Sequence, residues 1–279
     1  MLSRRQFLKG AAGVGVAGLI TDSIFYEPRH IIVEKRIIAL KGLPDAFEGF
    51  KICQITDVHH SLFISLDFVR RVVEMANGLK PDLMVLTGDY VDDSPKYIAP
   101  AVTALSRLQS PYGVLAILGN HDHMAGAELT KEVLRKCSVP VITNSHRLIE
   151  KAGKTICVAG IDDLLEGTQD LKAALEGVPV DIPRILLSHN PDYAEAMPKD
   201  ERVDLVLAGH THGGQIRLPF SIAPVTMSRY GQKYTGGLVK LAHAQVYVSR
   251  GIGVVGLPIR FNCPPEIALI TLTKEKQQA

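Results

Sequence analysis

Short apolar runs recur along the chain, each closed by a polar cluster, and amphipathic stretches fill most of the gaps. The run Gly113-Val114-Leu115-Ala116-Ile117-Leu118 has no polar face, which predicts a strand buried on both sides. Residues 50–56, 82–87, 182–187 and 203–208 read the same way. Residues 66–79 place Phe68, Val69, Val72, Val73 and Ala76 on one helical face, and Pro81 stops the helix. Further helices are predicted over 98–108, 127–137 and 169–176. The run Ile31-Ile32-Val33-Glu34-Lys35-Arg36-Ile37 predicts an edge strand. Shorter strands are expected at 139–143, 155–160, 216–218, 244–248 and 267–272. Strands alternating with helices predict an α/β chain, a sandwich of sheets with helices outside, and no linker divides it.

The first twenty residues break this pattern. Arg4-Arg5 precede a Gly/Ala-rich apolar stretch, 10–20, too short for a bilayer, which needs about 20 apolar residues. Gly10, Gly13, Gly15 and Gly18 would weaken a helix there. Paired arginines before a mild apolar stretch resemble a twin-arginine export signal. That divides the chain into a signal segment, 1–22, and a single domain, 23–279. The resemblance implies the twin-arginine translocation machinery as a partner. It also implies export of a folded protein to the periplasm, the cell wall or the outer face of the membrane.

With 279 residues the chain can bury a sizeable core, and a net charge of +2 is too small to argue for nucleic acid as a partner. The four cysteines form no C-x-x-C pair, so neither a disulfide framework nor a thiolate metal site is expected. Cys53 and Cys157 fall inside strands, as small buried hydrophobes.

The candidate chemistry lies where the apolar runs stop. Five of them end in metal-type donors: Asp57 and His59, then Asp89, Asn120 with His121, His189, and His210 with His212. Sites in open α/β sheets collect at the carboxyl ends of strands. Helix capping by Asn120 or Asp122 explains one such cluster locally, but not five. Asp57 and His59 can turn toward one ion, as can His210 and His212. A two-metal site needs a bridging carboxylate, and Asp89 after Gly88 suits that place. Two cations can generate hydroxide at neutral pH and stabilise the charge of a phosphoryl-transfer transition state. His121 is then left for the leaving oxygen, with Asp92 to orient it. The mixed oxygen and nitrogen donors suit two divalent ions, with Mn, Zn, Fe and Co all open.

In order, D-x-H (57–59), G-D-x-x-D (88–92), G-N-H-D (119–122), His189 and G-H-T-H (209–212) resemble the calcineurin-like metallophosphoesterase superfamily. The arginine pair and the run Gly213-Gly214-Gln215-Ile216-Arg217-Leu218-Pro219 are similar to its exported, YkuE/YaeI-like phosphodiesterase branch. The resemblance implies an αββα sandwich of two mixed β-sheets flanked by helices. One metal would be held by Asp57, His59, Asp89 and His212, the other by Asp89, Asn120, His189 and His210. His121 would be the acid or the transition-state stabiliser. Asp93-Ser94 and Asp122 stand where protein serine/threonine phosphatases of the superfamily carry Arg-Gly and Glu, which disfavours that activity. The implied function is hydrolysis of a phosphodiester or pyrophosphate bond by a metal-bound hydroxide. A cell-envelope lipid or polymer is the candidate substrate, with peripheral association to membrane or wall. The alternatives are a phosphomonoesterase and a non-catalytic envelope binding protein stapled by its metals. His30, His60, His123, His146 and His243 read as loop, capping or surface residues. Arg217, Arg250 and Arg260 read as solvated arginines in late loops that could meet a phosphate.

Overall fold

A computed structural model describes residue 13 and residues 17–275; Arg4 and Arg5, the core of the expected export motif, lie outside the described residues. Residues 17–21 are helical and run into a wider π-helical turn at Asp22–Tyr26 and a tighter 3-10 turn at Glu27–Arg29, so the chain crosses position 22 without a break. This segment is tied to a late loop: Arg260 N–H donates to the Ser23 carbonyl at 3.0 Å, and the Glu27 carboxylate accepts Asn262 N–H at 2.9 Å.

The strands are β1 (Ile32–Leu40), β2 (Lys51–Ile55), β3 (Leu83–Thr87), β4 (Val114–Ile117), β5 (Ser145–Lys151), β6 (Lys154–Gly160), β7 (Arg184–Leu187), β8 (Leu205–Ala208), β9 (Gly237–Lys240), β10 (Gln245–Val248) and β11 (Glu266–Lys274). They form two mixed sheets, ordered β1-β11-β2-β3-β4 and β5-β6-β7-β8-β10-β9. Within the first, β2, β3 and β4 are parallel; within the second, β6, β7, β8 and β10 are parallel. Each parallel group therefore opens its carboxyl ends on one edge.

The fully apolar strands are buried on both faces because period-2 alternation serves two cores at once. On β3, Leu83 and Val85 point between the sheets, where they join Ile185, Leu187, Leu205 and Leu207 of the second sheet. Met84 and Leu86 point the other way, against Val69, Val72 and Val73 of α1 (Leu66–Gly78) and Ala101 and Val102 of α2 (Ile98–Leu105). The outer face of the second sheet takes Leu171 and Ala174 of α4 (Leu171–Ala174) and Tyr193 and Ala194 of α5 (Tyr193–Ala196). The result is the expected αββα sandwich, with β1 at an edge.

Three details differ from expectation. Residues 139–143 contribute only a bridge from Val141 to Ala116, and 216–218 only a bridge from Ile216 to Phe261. The strand β5 carries little apolar signal because it lies at a sheet edge with three of its seven residues exposed, and β9, at the opposite edge of the same sheet, is only four residues long and opens on Gly237. The helix expected at 127–137 begins earlier: α3 (Asn120–Lys136) includes the donors Asn120 and His121 in its first turn and kinks at Gly126, where φ is 134°.

Candidate metal centre

All five expected strand-end donor groups meet on the edge where the carboxyl ends of β2, β3, β4, β7 and β8 converge. Below them Gln54, fully buried on β2, clasps the sheets together: its Nε2 donates to Thr87 Oγ1 and to the Ala208 carbonyl, both at 2.9 Å. Asp57 then accepts the backbone N–H of His210 on both oxygens, at 2.9 and 3.1 Å, joining a loop of one sheet to a loop of the other.

Two donor sets result, each drawn from both sheets. In the first, His212 Nε2 lies 3.3 Å from Asp57 Oδ1 and 3.0 Å from His59 Nε2. In the second, His189 Nε2 lies 3.1 Å from Asp89 Oδ2, 3.2 Å from Asn120 Oδ1 and 3.3 Å from His210 Nδ1. Asp89 connects them. Its Oδ1 is taken by the His121 backbone N–H at 2.9 Å, and its Oδ2 faces His189 Nε2 and, at 3.5 Å, His59 Nε2.

The local backbone is strained to achieve this. Asp57, His59, Asp89, His210 and His212 have φ of 51°, 47°, 56°, 68° and 51°, a region L-residues seldom occupy. Non-glycine residues held there cost of order 1–3 kcal/mol each, and such strain collects at functional sites. Gly119 is needed for close approach rather than for φ, since a Cβ there would lie 2.3 Å from Asp89 Oδ1.

Asp122 is the functional residue that sequence reasoning left as a departure or a helix cap. It is fully buried at the third position of α3, while Gly119 is the N-cap. Its carboxylate accepts the N–H groups of Asp89 at 2.7 Å, Tyr90 at 2.9 Å and Gly119 at 3.0 Å, holding the β3 and β4 loops in register. Burial and the neighbouring Asp89 charge push its carboxyl up to about 7, against the pull of those N–H donors. The signal was present as the aspartate closing G-N-H-D, with a capping-box spacing to Gly119.

The electrostatics follow from burial and from the two carboxylates Asp57 and Asp89. His189 donates Nδ1–H to the Thr87 carbonyl at 2.8 Å, so its Nε2 is the nitrogen turned toward Asp89, Asn120 Oδ1 and His210. Burial disfavours a charged ring there, yet Asp89 and Asp57 overcome it and raise the His189 imidazole well above its ordinary range. Burial and the His189 charge lower His210. The first set repeats the arrangement: burial pushes His212 down to about 4 despite Asp57, while His59, also opposed by burial, is raised by Asp92 and Asp89. Asp57 and Asp89, although buried, are held below the ordinary carboxylate range by His212 and His189 respectively. Nδ1 of His59 and of His212 have no hydrogen-bond partner. Asp92 Oδ1 lies 3.6 Å from the former. Convergent lone pairs, ionised buried carboxylates and left-over ring nitrogens fit divalent ions.

Asp92 serves two rings. Its carbonyl accepts from His121 Nδ1 at 3.0 Å, and its Oδ1 lies 3.4 Å from that nitrogen as well as facing His59. His121 is only partly buried at the mouth. The late arginines correct the expectation of solvated side chains. Arg260 is fully buried and donates to the carbonyls of Arg250, Gly251, Gly253 and Cys263, folding the 250–263 loop beside Asp57. Arg250 pairs with Glu266 at 2.5 Å and Glu34 at 3.3 Å, and Arg217 donates to the Gly213 and Thr235 carbonyls.

Comparison with known proteins gives the family. The calcineurin-like phosphoesterase family matches residues 50–214, and the twin-arginine translocation pathway signal sequence matches residues 1–21. The chain is 38% identical to the uncharacterized metallophosphoesterase YkuE of Bacillus subtilis, covering 97% of this chain and 98% of that one. It is 34% identical to phosphodiesterase YaeI of Escherichia coli, covering 98% and 100%. Among solved structures, Haemophilus influenzae NAD nucleotidase is 15% identical with a TM-score of 0.49, over 73% of this chain and 45% of that one. The chain belongs to the calcineurin-like phosphoesterase family and is a metal-dependent phosphoric ester hydrolase that carries a twin-arginine signal for export.

Proposed function

We propose that the protein is an exported phosphodiesterase that cleaves a phosphodiester or pyrophosphate bond at a two-metal centre, on a lipid or polymer of the cell envelope. The observation that carries this reading is Asp89, whose Oδ2 faces both donor sets while Oδ1 is tied to the backbone of α3. Asp57, His59, Asp89 and His212 would hold one divalent ion, and Asp89, Asn120, His189 and His210 the other. When bound, the pair supplies Lewis-acid charge and a water of lowered pKa. The remaining work belongs to the chain. Asp92 fixes the His121 ring through Nδ1, and a protonated His121, paired with the Asp92 carboxylate, offers its Nε2 proton to the leaving oxygen. Asp122 keeps Asp89 and α3 in place during turnover. The signal sequence and the name of the YaeI relative support an envelope diester over a cytoplasmic monoester.

The test is hydrolysis of bis-p-nitrophenyl phosphate beside p-nitrophenyl phosphate, with stripped protein reloaded with manganese or zinc. Faster turnover of the diester is expected. Preference for the monoester would make the protein a phosphatase. Absence of turnover on protein shown to bind two ions would favour the non-catalytic binding protein.

A further inference from the structure

Beside the metal centre lies an apolar groove that the chemistry so far does not use. Its inner end is Thr211 and His212, and its walls are Ile216, Val225, Met227, Val255, Leu257 and Ile259. The cavity measures about 220 Å³, against the ~150 Å³ that accommodates a benzene in an engineered apolar void. Its outer rim is left in water: Val225 is 62% exposed, Leu257 63% and the neighbouring Phe220 96%.

The groove is built and braced. The Gln215 side chain pairs with Val255 as a backbone would, donating to its carbonyl at 2.9 Å and accepting its N–H at 2.8 Å. Gln232 makes the same double bond to Ala223, at 2.7 and 2.9 Å. Asp192, just beyond the donor His189, accepts from Ser228 Oγ at 2.5 Å and Arg229 N–H at 2.8 Å, pinning the far end of that wall. Gly214, at φ 79°, lets the wall close in, since a Cβ there would lie 2.4 Å from Ala223 Cβ. A loop free to relax would fold its exposed side chains inward, because leaving apolar surface in water costs about 25 cal/mol per Å². Here polar ties fix the position of the walls, and the groove is lined at one end by His212, a donor of the first set.

We propose that this groove receives an apolar chain of the substrate, so that the natural substrate is a phosphoester bearing an alkyl or acyl tail. The inference rests on the phosphodiesterase reading and narrows its substrate class. A tail on a phosphoester held by the donor set that includes His212 would meet Ile216, Val255 and Met227, which line the groove with His212.

The test uses manganese-loaded protein and p-nitrophenyl phosphodiesters of methanol through decanol, below their micelle-forming concentrations. Expected is a rise in kcat/KM of about three- to fourfold per buried methylene until the groove is full. Decylphosphonate should bind more tightly than methylphosphonate with a more negative heat-capacity change, the mark of apolar burial. Leu257→Gln and Met227→Gln should flatten the chain-length series, and the wild-type series stands as evidence even if a variant misfolds. Equal rates for methyl and decyl esters overturn the proposal and leave the phosphodiesterase reading intact. Equal rates with a concentration-dependent dimer give the groove to a second copy of the chain. No hydrolysis of any ester removes the phosphodiesterase reading, and the inference with it.

Discussion

His121 and Asp89 make opposite demands on an experiment. His121 touches the centre through its backbone and Asp92, so His121→Gln should keep two bound metals and lower kcat about 10²–10⁴-fold, the range for losing a general acid. Loss of metal in that variant, measured by elemental analysis, would make His121 a ligand instead. Asp89→Asn should weaken metal binding more than about 100-fold, beyond what losing an outer-shell partner costs, and abolish turnover. Asp122 offers a third contrast. Asp122→Ala strands three buried N–H groups, each worth about 1–3 kcal/mol when unsatisfied, so a fall of several degrees in Tm is expected even in metal-free protein. Metal binding also has a pH sign. His59 and His189 hold protons more strongly than free imidazole, and a metal must displace them. Affinity should therefore rise with pH through neutrality, with proton release seen by calorimetry in buffers of different ionisation enthalpy. Proton-independent binding would contradict the assignment of His59 and His189 as ligands. Each donor was legible as a residue after an apolar run. The role of Asp122 was legible only in its cap of Gly119, because its other two partners, the N–H groups of Asp89 and Tyr90, belong to another segment.

Among elements, the buried parallel strands and the late loop behave differently. β2, β3, β4, β7 and β8 were readable because burial on both faces leaves a continuous apolar run. β5 was not, since an edge strand partly in water carries polar residues with no period, and β9 was not, since four residues are too few to show one. The 250–263 loop was misread at Arg260, whose guanidinium looks like any loop arginine in one dimension. In three dimensions it replaces secondary structure for that loop, gathering four carbonyls in a fully buried position. Arg260→Ala should cost about 3 kcal/mol or more, from several stranded acceptors. Arg260→Lys should recover little, because an ammonium lacks the planar fork. Full stability of either variant in urea titration would show that the loop holds itself without this side chain.

At the scale of the molecule, the centre is a joint between two sheets. Both donor sets take residues from each sheet, so bound metal would act as a cross-link as well as a reagent. Metal at a hundredfold excess over Kd stabilises by about 2.7 kcal/mol per site. For a chain of this size, two such sites together correspond to about 10–20 °C in Tm. Chelation should produce a fall of that order, reversed by manganese, and a Tm indifferent to chelator would separate the metals from the packing of the sandwich.

The chain by itself determined the α/β class, the two-sided burial of the central strands, the order of the donor motifs and the twin-arginine start. These are local properties, since period, run length and residue type are visible within a dozen positions. Only the tertiary structure decided that Asp89 faces both donor sets and that Asp122 anchors three N–H groups. It alone showed Arg260 buried and the groove beside His212 braced by Gln215 and Gln232. The contacts that build the centre link positions 33 to 154 residues apart, whose distances follow from how two sheets pack and not from the order of residues along either one.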